Sequence, residues 1–208
     1  MIRFSFWLIS KVIAVAIPPL NIMKILFLDL DGTVRKTKSG ATFINDPCDQ
    51  ELIPGVEDAI SKYADWVVVG VTNQGGVGAG FKSYKDCIAE QYKTLSLLPL
   101  MERIYFCPDS KGEECWLVTR EDCDRLIDSI SRDYRKPGTG MIDRALSYLK
   151  ESPTEILMVG DRPEDEQCAK NANIPFMWAH DWRTNPPILT ALVLKNLLMN
   201  QQQKTIFS

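Results

Sequence analysis

Four aspartates, a threonine and a lysine carry the candidate chemistry of this 208-residue chain. Asp29 and Asp31 close the run Ile25-Leu26-Phe27-Leu28 and are followed by Gly32 and Thr33. Consecutive apolar residues of that kind read as a buried strand, and Asp-x-Asp-Gly ends it with acids and a turn residue. Carboxylates held together repel one another and resist desolvation. A hard cation with oxygen ligands is the usual compensation, and Mg²⁺ suits such a site. Thr72 and Asn73 end a second apolar run, Trp66–Val71, and Asp161 follows a third, Glu155–Val159. Lys136 stands in Arg135-Lys136-Pro137-Gly138, just before a predicted helix, and Asp165 follows Asp161 by one helical turn. The set offers a nucleophile, an acid/base, a hydroxyl donor, a cation and metal-binding acids. Phosphoryl transfer needs these parts, because it rests on in-line positioning and on neutralising spread negative charge.

Open α/β sheets gather ligands and catalytic groups at the carboxyl ends of their strands, so the surrounding elements must bring these runs side by side. The polar stretch Arg35 to Asp49, with Gly40 and Pro47, reads as a flap over the strand ends. A helix is expected from about Val56 to Ala64, and another from about Ser83 to Leu95. Arg103 to Phe106 reads as a short strand, and residues 107–135 as an irregular insertion with a short helix from Asp122 to Ser131. Further helices are expected from Pro137 to Lys150 and from about Glu164 to Ala172, then a strand from Ile174 to Trp178. Pro186-Pro187 precedes a last amphipathic helix running to about Asn200. This alternation predicts an α/β fold: a central, mostly parallel sheet with helices on both faces. Residues 23–208 read as a single domain, and the length of the 107–135 segment suggests a functional insertion.

Charge is nearly balanced, 24 Lys and Arg against 27 Asp and Glu, for a net −3. That gives no overall basic field for nucleic acid. The 6 cysteines are scattered without a compact framework and read as reduced thiols. His180 is the only histidine, which rules out histidine-rich metal sites. Met1 to Pro19 is apolar with Arg3 near its start, as in a signal peptide or anchor, but Ser10 and Lys11 interrupt it. Its apolar run is also short against the ~18 residues of a membrane span. Met23-Lys24, directly before the first strand, fits a start at Met23, with residues 1–22 as an upstream extension. On that reading the protein is cytoplasmic, and a membrane enters only if residues 1–22 are genuine.

Taken together, these residues resemble the haloacid dehalogenase (HAD) superfamily of phosphohydrolases. Asp29-Leu30-Asp31-Gly32-Thr33 matches its first motif, Thr72-Asn73-Gln74 its second, Lys136 in Arg-Lys-Pro-Gly its third, and Gly160-Asp161 with Asp165 its fourth. The resemblance covers about residues 24–180, in order, and points to subgroup III, which includes histidinol-phosphate, heptose-bisphosphate and polynucleotide 3′-phosphatases. It implies a HAD-like, Rossmann-like three-layer sandwich with a minimal cap, and Mg²⁺-dependent phosphatase activity. Asp29 would attack phosphorus and form an aspartyl-phosphate, and Asp31 would serve as general acid and then base. Asp29, Asp161 and the backbone carbonyl of Asp31 would hold Mg²⁺, with Asp165 close to the metal or orienting Lys136. Thr72 and the amide of Asn73 would bind phosphate oxygens, and Lys136 would neutralise charge on the nucleophile and the transferring group.

The substrate stays open at this stage. A small phosphorylated metabolite, of sugar or histidinol phosphate type, is the first reading, and a nucleic-acid 3′ end the second. Arg35, Lys36, Lys38, Lys82 and Lys85 near the mouth could track a phosphate backbone, or form an ordinary solvated surface. A non-catalytic phosphate-binding module would need a missing catalytic residue, and none is missing. Transfer to a hydroxyl acceptor would use the same residues as hydrolysis. The glycine-rich run Gly75–Gly80 lacks the spacing and the ribose acid of a dinucleotide loop. Cys107, Cys115 and Cys123 fall where heptose-bisphosphate phosphatases carry a zinc loop, but without a nearby histidine or a close cysteine pair they read as thiols. Trp178, His180 and Trp182 read as core or rim. No stable protein partner is evident.

Overall fold

A computed structural model of the chain describes residues 23–126, 133–149 and 152–184. Its centre is a 7-stranded sheet whose strands lie in the spatial order β7 (Cys123–Leu126), β6 (Cys115–Val118), β5 (Met101–Cys107), β4 (Val67–Asn73), β1 (Lys24–Leu28), β8 (Glu155–Gly160) and β9 (Phe176–Trp178). The parallel core comprises β1, β4, β5, β8 and β9. Strand β1 is buried on both faces, and alternate side chains enter different cores. Leu26 and Leu28 pack with helices α1 (Val56–Ser61), α2 (Tyr84–Leu97) and α5 (Ala179–Thr184). Ile25 and Phe27 pack with α3 (Gly140–Ser147) and α4 (Pro163–Asn171). This is the expected three-layer α/β arrangement. A strand walled in on both sides has no use for a polar position, which is why its sequence is an unbroken apolar run.

From β1 the chain runs to β4 and β5 on one side, then returns to β8 and β9 on the other. The point where direction reverses lies at the carboxyl end of β1, where such sheets bind ligands. Strands β2 (Arg35–Lys36) and β3 (Glu51–Leu52) pair antiparallel and carry the loop between them, which is the expected flap.

The insertion differs from expectation. Residues 107–126 are not irregular: β6 (Cys115–Val118) pairs antiparallel with β5, and β7 (Cys123–Leu126) pairs with β6. The helix expected over 122–131 therefore begins as a strand, and residues 127–132 lie outside the described residues. Cys115 and Val118 are buried, and the Trp116 ring stacks on Phe106 at 6.0 Å. Aromatic and β-branched side chains fit a pleated surface, and the Thr119 to Asp122 turn closes the hairpin, Thr119 N donating to Asp122 O. The final helix expected after Pro186, and residues 1–22, lie outside the described residues. Among the described residues no helix is long and apolar enough to cross a membrane.

Candidate active site

Strand β1 delivers Asp29 to the switch point, where its backbone N donates to Val159 O of β8 at 2.9 Å. The chain then turns sharply, with the backbone N–H groups of Thr33, Val34 and Arg35 all donating to Leu30 O. Gly32 adopts φ +87°, and a Cβ there would stand 2.1 Å from Asp161 Oδ2. Glycine is thus required twice over, by backbone conformation and by the approach of an acid from the neighbouring strand. Arg183 of α5 secures the turn from behind, its Nη1 donating to Thr33 O at 2.6 Å.

Lys136 joins the acids. Its Nζ donates to Asp29 Oδ1 at 2.5 Å, to Val71 O at 2.9 Å, and lies 2.6 Å from Asp165 Oδ1. All the ammonium protons are thereby used. Burial works against the Lys136 charge, but Asp29 and Asp165 outweigh it and hold the group protonated, above its ordinary value. The Asp29 carboxyl is pushed up to about 7 by burial, against the pull of Lys136 and with the neighbouring Asp165 and Asp31 adding to the rise. Thr33 Oγ1 donates to the other oxygen, Asp29 Oδ2, at 3.0 Å.

Asp165 is fixed from its own helix. At the start of α4, Arg162 N donates to Asp165 Oδ2 at 3.1 Å, closing a capping box. Gly160 leaves room for it, since a Cβ at Gly160 would lie 2.3 Å from the Asp165 Cβ. Asp161 faces the cavity, and partial desolvation among the neighbouring groups, together with the Asp165 charge, raises its carboxyl. Asp29, Asp161 and Asp165 each offer an oxygen within 4.8 Å of one another, the one such metal-competent group among the described residues. An all-carboxylate donor set fits a hard cation such as Mg²⁺ and does not suit zinc. The Asp31 side chain is not part of this group, and Cys107, Cys115 and Cys123 do not assemble one.

Asp31 faces elsewhere. Arg35 Nε donates to its Oδ1 at 2.9 Å, and Gln74 Nε2 to its Oδ2 at 2.8 Å. Burial would raise the Asp31 carboxyl, but the Arg35 guanidinium, with Gln74 and Lys82, holds it below its ordinary value. Thr72 is buried and its Oγ1 accepts from Gln74 Nε2 at 3.1 Å. The Asn73 side chain clamps the Lys136 backbone, donating from Nδ2 to Lys136 O at 3.0 Å and accepting from Lys136 N at 2.9 Å.

Of the mouth cations named from sequence, Arg35 and Lys82 are not solvated. Arg35 is fully buried against Asp31 and Glu90, and Lys82 pairs with Glu90 and donates to Gln74 Oε1. Neither is free to track a phosphate backbone. The cavity above Asp29 is open, about 870 Å³, and lined among others by Asp31, Thr72, Lys136, Arg135 and Arg162. Two aromatic side chains on its rim, Phe43 and Phe81, are 66% and 81% exposed. His180 is exposed, whereas Trp182 is fully buried core. Thr33 and Gln74 complete the site without having been assigned contacts from sequence, and Arg35, read there as a phosphate-backbone or solvated cation, binds Asp31 instead. The signal available was local: Thr33 and Arg35 lie within one turn of the Asp31 pair, and Gln74 two residues beyond Thr72.

The family model described as polynucleotide kinase 3 phosphatase matches residues 24–182. A D-glycero-beta-D-manno-heptose-1,7-bisphosphate 7-phosphatase of Haemophilus influenzae is 32% identical over 160 residues, 73% of this chain and 78% of that protein. A probable D-glycero-D-manno-heptose-1,7-bisphosphate 7-phosphatase of Thermoplasma volcanium is 29% identical over 163 residues, covering 74% of this chain and 97% of its own length. Among solved structures, the D,D-heptose 1,7-bisphosphate phosphatase from B. bronchiseptica, complexed with magnesium and phosphate, superposes with a TM-score of 0.55 at 26% identity. That match covers 74% of this chain and 79% of the other.

Proposed function

This chain belongs to the polynucleotide kinase 3 phosphatase family of haloacid dehalogenase phosphohydrolases, and we propose that it is a Mg²⁺-dependent phosphomonoesterase acting on a small sugar phosphate through an aspartyl-phosphate. The observation that carries this reading is the contact of Lys136 Nζ with both Asp29 and Asp165, beside Asp161. A buried nucleophilic carboxylate, a fixed cation and a cluster of hard oxygen donors are what transfer of a phosphoryl group requires.

In the first step a carboxylate oxygen of Asp29 bonds to phosphorus while the bond from phosphorus to the sugar oxygen breaks. Without substrate, Arg35 favours the ionised form of Asp31, whereas a phosphate dianion bound beside it favours the protonated form, and from that form Asp31 gives its proton to the departing oxygen. In the second step a water attacks phosphorus, Asp31 takes its proton, and the bond to Asp29 breaks to release inorganic phosphate. Lys136 offsets negative charge at Asp29 throughout, and Thr72 supplies a hydroxyl at the strand end. Asp29 and Asp161 would hold Mg²⁺, with Asp165 beside them anchoring Lys136. When bound, the cation screens the repulsion between an anionic nucleophile and an anionic phosphate.

The sugar-phosphate class is supported by relatives named as heptose-bisphosphate phosphatases and by Arg135 and Arg162 inside the cavity, cations suited to a multiply charged small molecule. A second reading, a 3′-phosphorylated nucleic-acid end, is favoured by Phe43 and Phe81 on the rim, since exposed aromatics stack on bases. The test is phosphate release from a sugar 1,7-bisphosphate, histidinol phosphate and a 3′-phosphorylated oligonucleotide, with Mg²⁺ or with chelator, beside Asp29→Asn. Release from the sugar bisphosphate that needs Mg²⁺ and vanishes in the variant is expected. Preference for the oligonucleotide would select the second reading. Turnover that persists in Asp29→Asn would sink the mechanism.

A further inference from the structure

Asp31 is gripped from two sides. Arg35 Nε donates to Oδ1 at 2.9 Å and Arg35 Nη2 to Oδ2 at 3.3 Å, while Gln74 Nε2 donates to Oδ2 at 2.8 Å. A carboxylate offers about four lone-pair sites. The hydrogen bonds above use both on Oδ2 and one on Oδ1, so the open site is on Oδ1. Arg35 is itself immobilised. Its Nη1 donates to Thr94 Oγ1 at 2.5 Å and to Gln91 Oε1 at 3.2 Å, and its Nη2 pairs with Glu90. Those partners all lie on α2, and Gln50, at the foot of the flap's other leg, ties into the same cluster by accepting from Thr94 Oγ1 at 2.7 Å. A fully buried guanidinium is costly to desolvate, and structure alone would be served as well by apolar packing.

We propose that Arg35 is a positioning residue for proton transfer, fixing the Asp31 carboxyl so that the open site on Oδ1 carries the proton to the leaving oxygen. The proposal rests on the reading of Asp31 as the general acid. As the bond between phosphorus and the leaving oxygen breaks, its electron pair stays on that oxygen, which takes the proton from Asp31 Oδ1. The resulting carboxylate remains bound to Arg35 and Gln74, and the new bond to phosphorus is the one from Asp29.

The experiment compares kcat/KM, which reports events up to leaving-group departure, across phosphate monoesters from p-nitrophenyl to simple alkyl, with Mg²⁺ present. A p-nitrophenolate departs without a proton, and an alkoxide does not. Asp31→Asn is expected to lose about 100-fold or more on alkyl esters and far less on p-nitrophenyl phosphate. Arg35→Lys keeps the charge but not the fork, and is expected to lose about tenfold or more on alkyl esters and less than about threefold on the aryl ester. Thr94→Val removes one acceptor from Arg35 without touching Asp31, and is expected to move the leaving-group dependence the same way. It also decides the matter if Arg35→Lys does not fold. Equal losses on every ester in the Arg35 and Thr94 variants would make Arg35 merely structural and overturn the proposal, while the Asp31 reading stands. Asp31→Asn with an unchanged leaving-group dependence would overturn that reading and the proposal together.

Discussion

Lys136 Nζ stands 2.6 Å from Asp165 Oδ1, and Asp165 in turn accepts from the first backbone N–H of its own helix cap. The cation that meets Asp29 is therefore anchored to the start of α4, and its position is set by a carboxylate that cannot move without uncapping a helix. Asp165→Ala would leave Lys136 held by Asp29 and Val71 O alone. Its activity is expected to fall about 100-fold, because the cation shifts relative to the reacting centre. Loss of one partner from a buried pair should also cost about 3 kcal/mol of stability. Phosphate-release kinetics and denaturant melts check both; an unchanged kcat would remove Asp165 from the account.

Gly32→Ala is expected to weaken Mg²⁺ binding about tenfold or more, since the added methyl occupies the space of Asp161 Oδ2 and disfavours the positive φ. Isothermal titration with Mg²⁺ alone reads this without turnover. Affinity equal to the parent's would mean that Asp161 does not hold the metal.

Asn73 makes its prediction through the Lys136 backbone. Asn73→Ala is expected to lower kcat about tenfold with KM moving less than about threefold, because it loosens the lysine and leaves ground-state binding alone. A large rise in KM with kcat preserved would instead make the Asn73 side chain a direct phosphate ligand.

The pH dependence of the metal-free protein follows from Asp29, raised from an ordinary 3.8 to about 7. Between those values the folded chain keeps a proton that the unfolded chain has released, so stability falls as pH rises. Burial raises Asp161 and Glu90 in the same direction. Asp31, held low by Arg35, acts oppositely, but only below its ordinary 3.8. In chelator, Tm should drop from about pH 5 to about pH 7, and Asp29→Asn should flatten that slope. Added Mg²⁺, which favours the carboxylates, should raise Tm more at the higher pH. A metal-free Tm that climbs over this range would contradict the raised carboxyl.

Much of the site was legible because its residues sit where a local pattern ends. Asp29, Thr72 and Asp161 each follow an apolar run, and such runs become adjacent parallel strands whatever the rest of the chain does. Arg35 and Lys82 were not legible as buried groups, because their partner Glu90 lies 55 and 8 residues further on, on a helix face that buries Glu90, Gln91 and Thr94 instead of apolar residues. Polar side chains on an inward helix face read as solvent-facing until the long-range pairing is known. The β6–β7 hairpin escaped for another reason. Cys115 to Val118 is short and flanked by charges, so a loop and an edge strand look alike until β5 supplies the partner.

The place of β1 between β4 and β8 also sets an order of events during synthesis. β1 leaves the ribosome before β4 and β8 and can pair with β4 early, but its other edge stays bare until β8 follows, more than a hundred residues later. Until then Ile25 to Leu28 present an unpaired apolar edge of the kind that recruits other chains. Asp161 and Asp165 arrive with that same late strand, so the nascent protein is most exposed to aggregation while it is still catalytically silent, and one docking event ends both conditions.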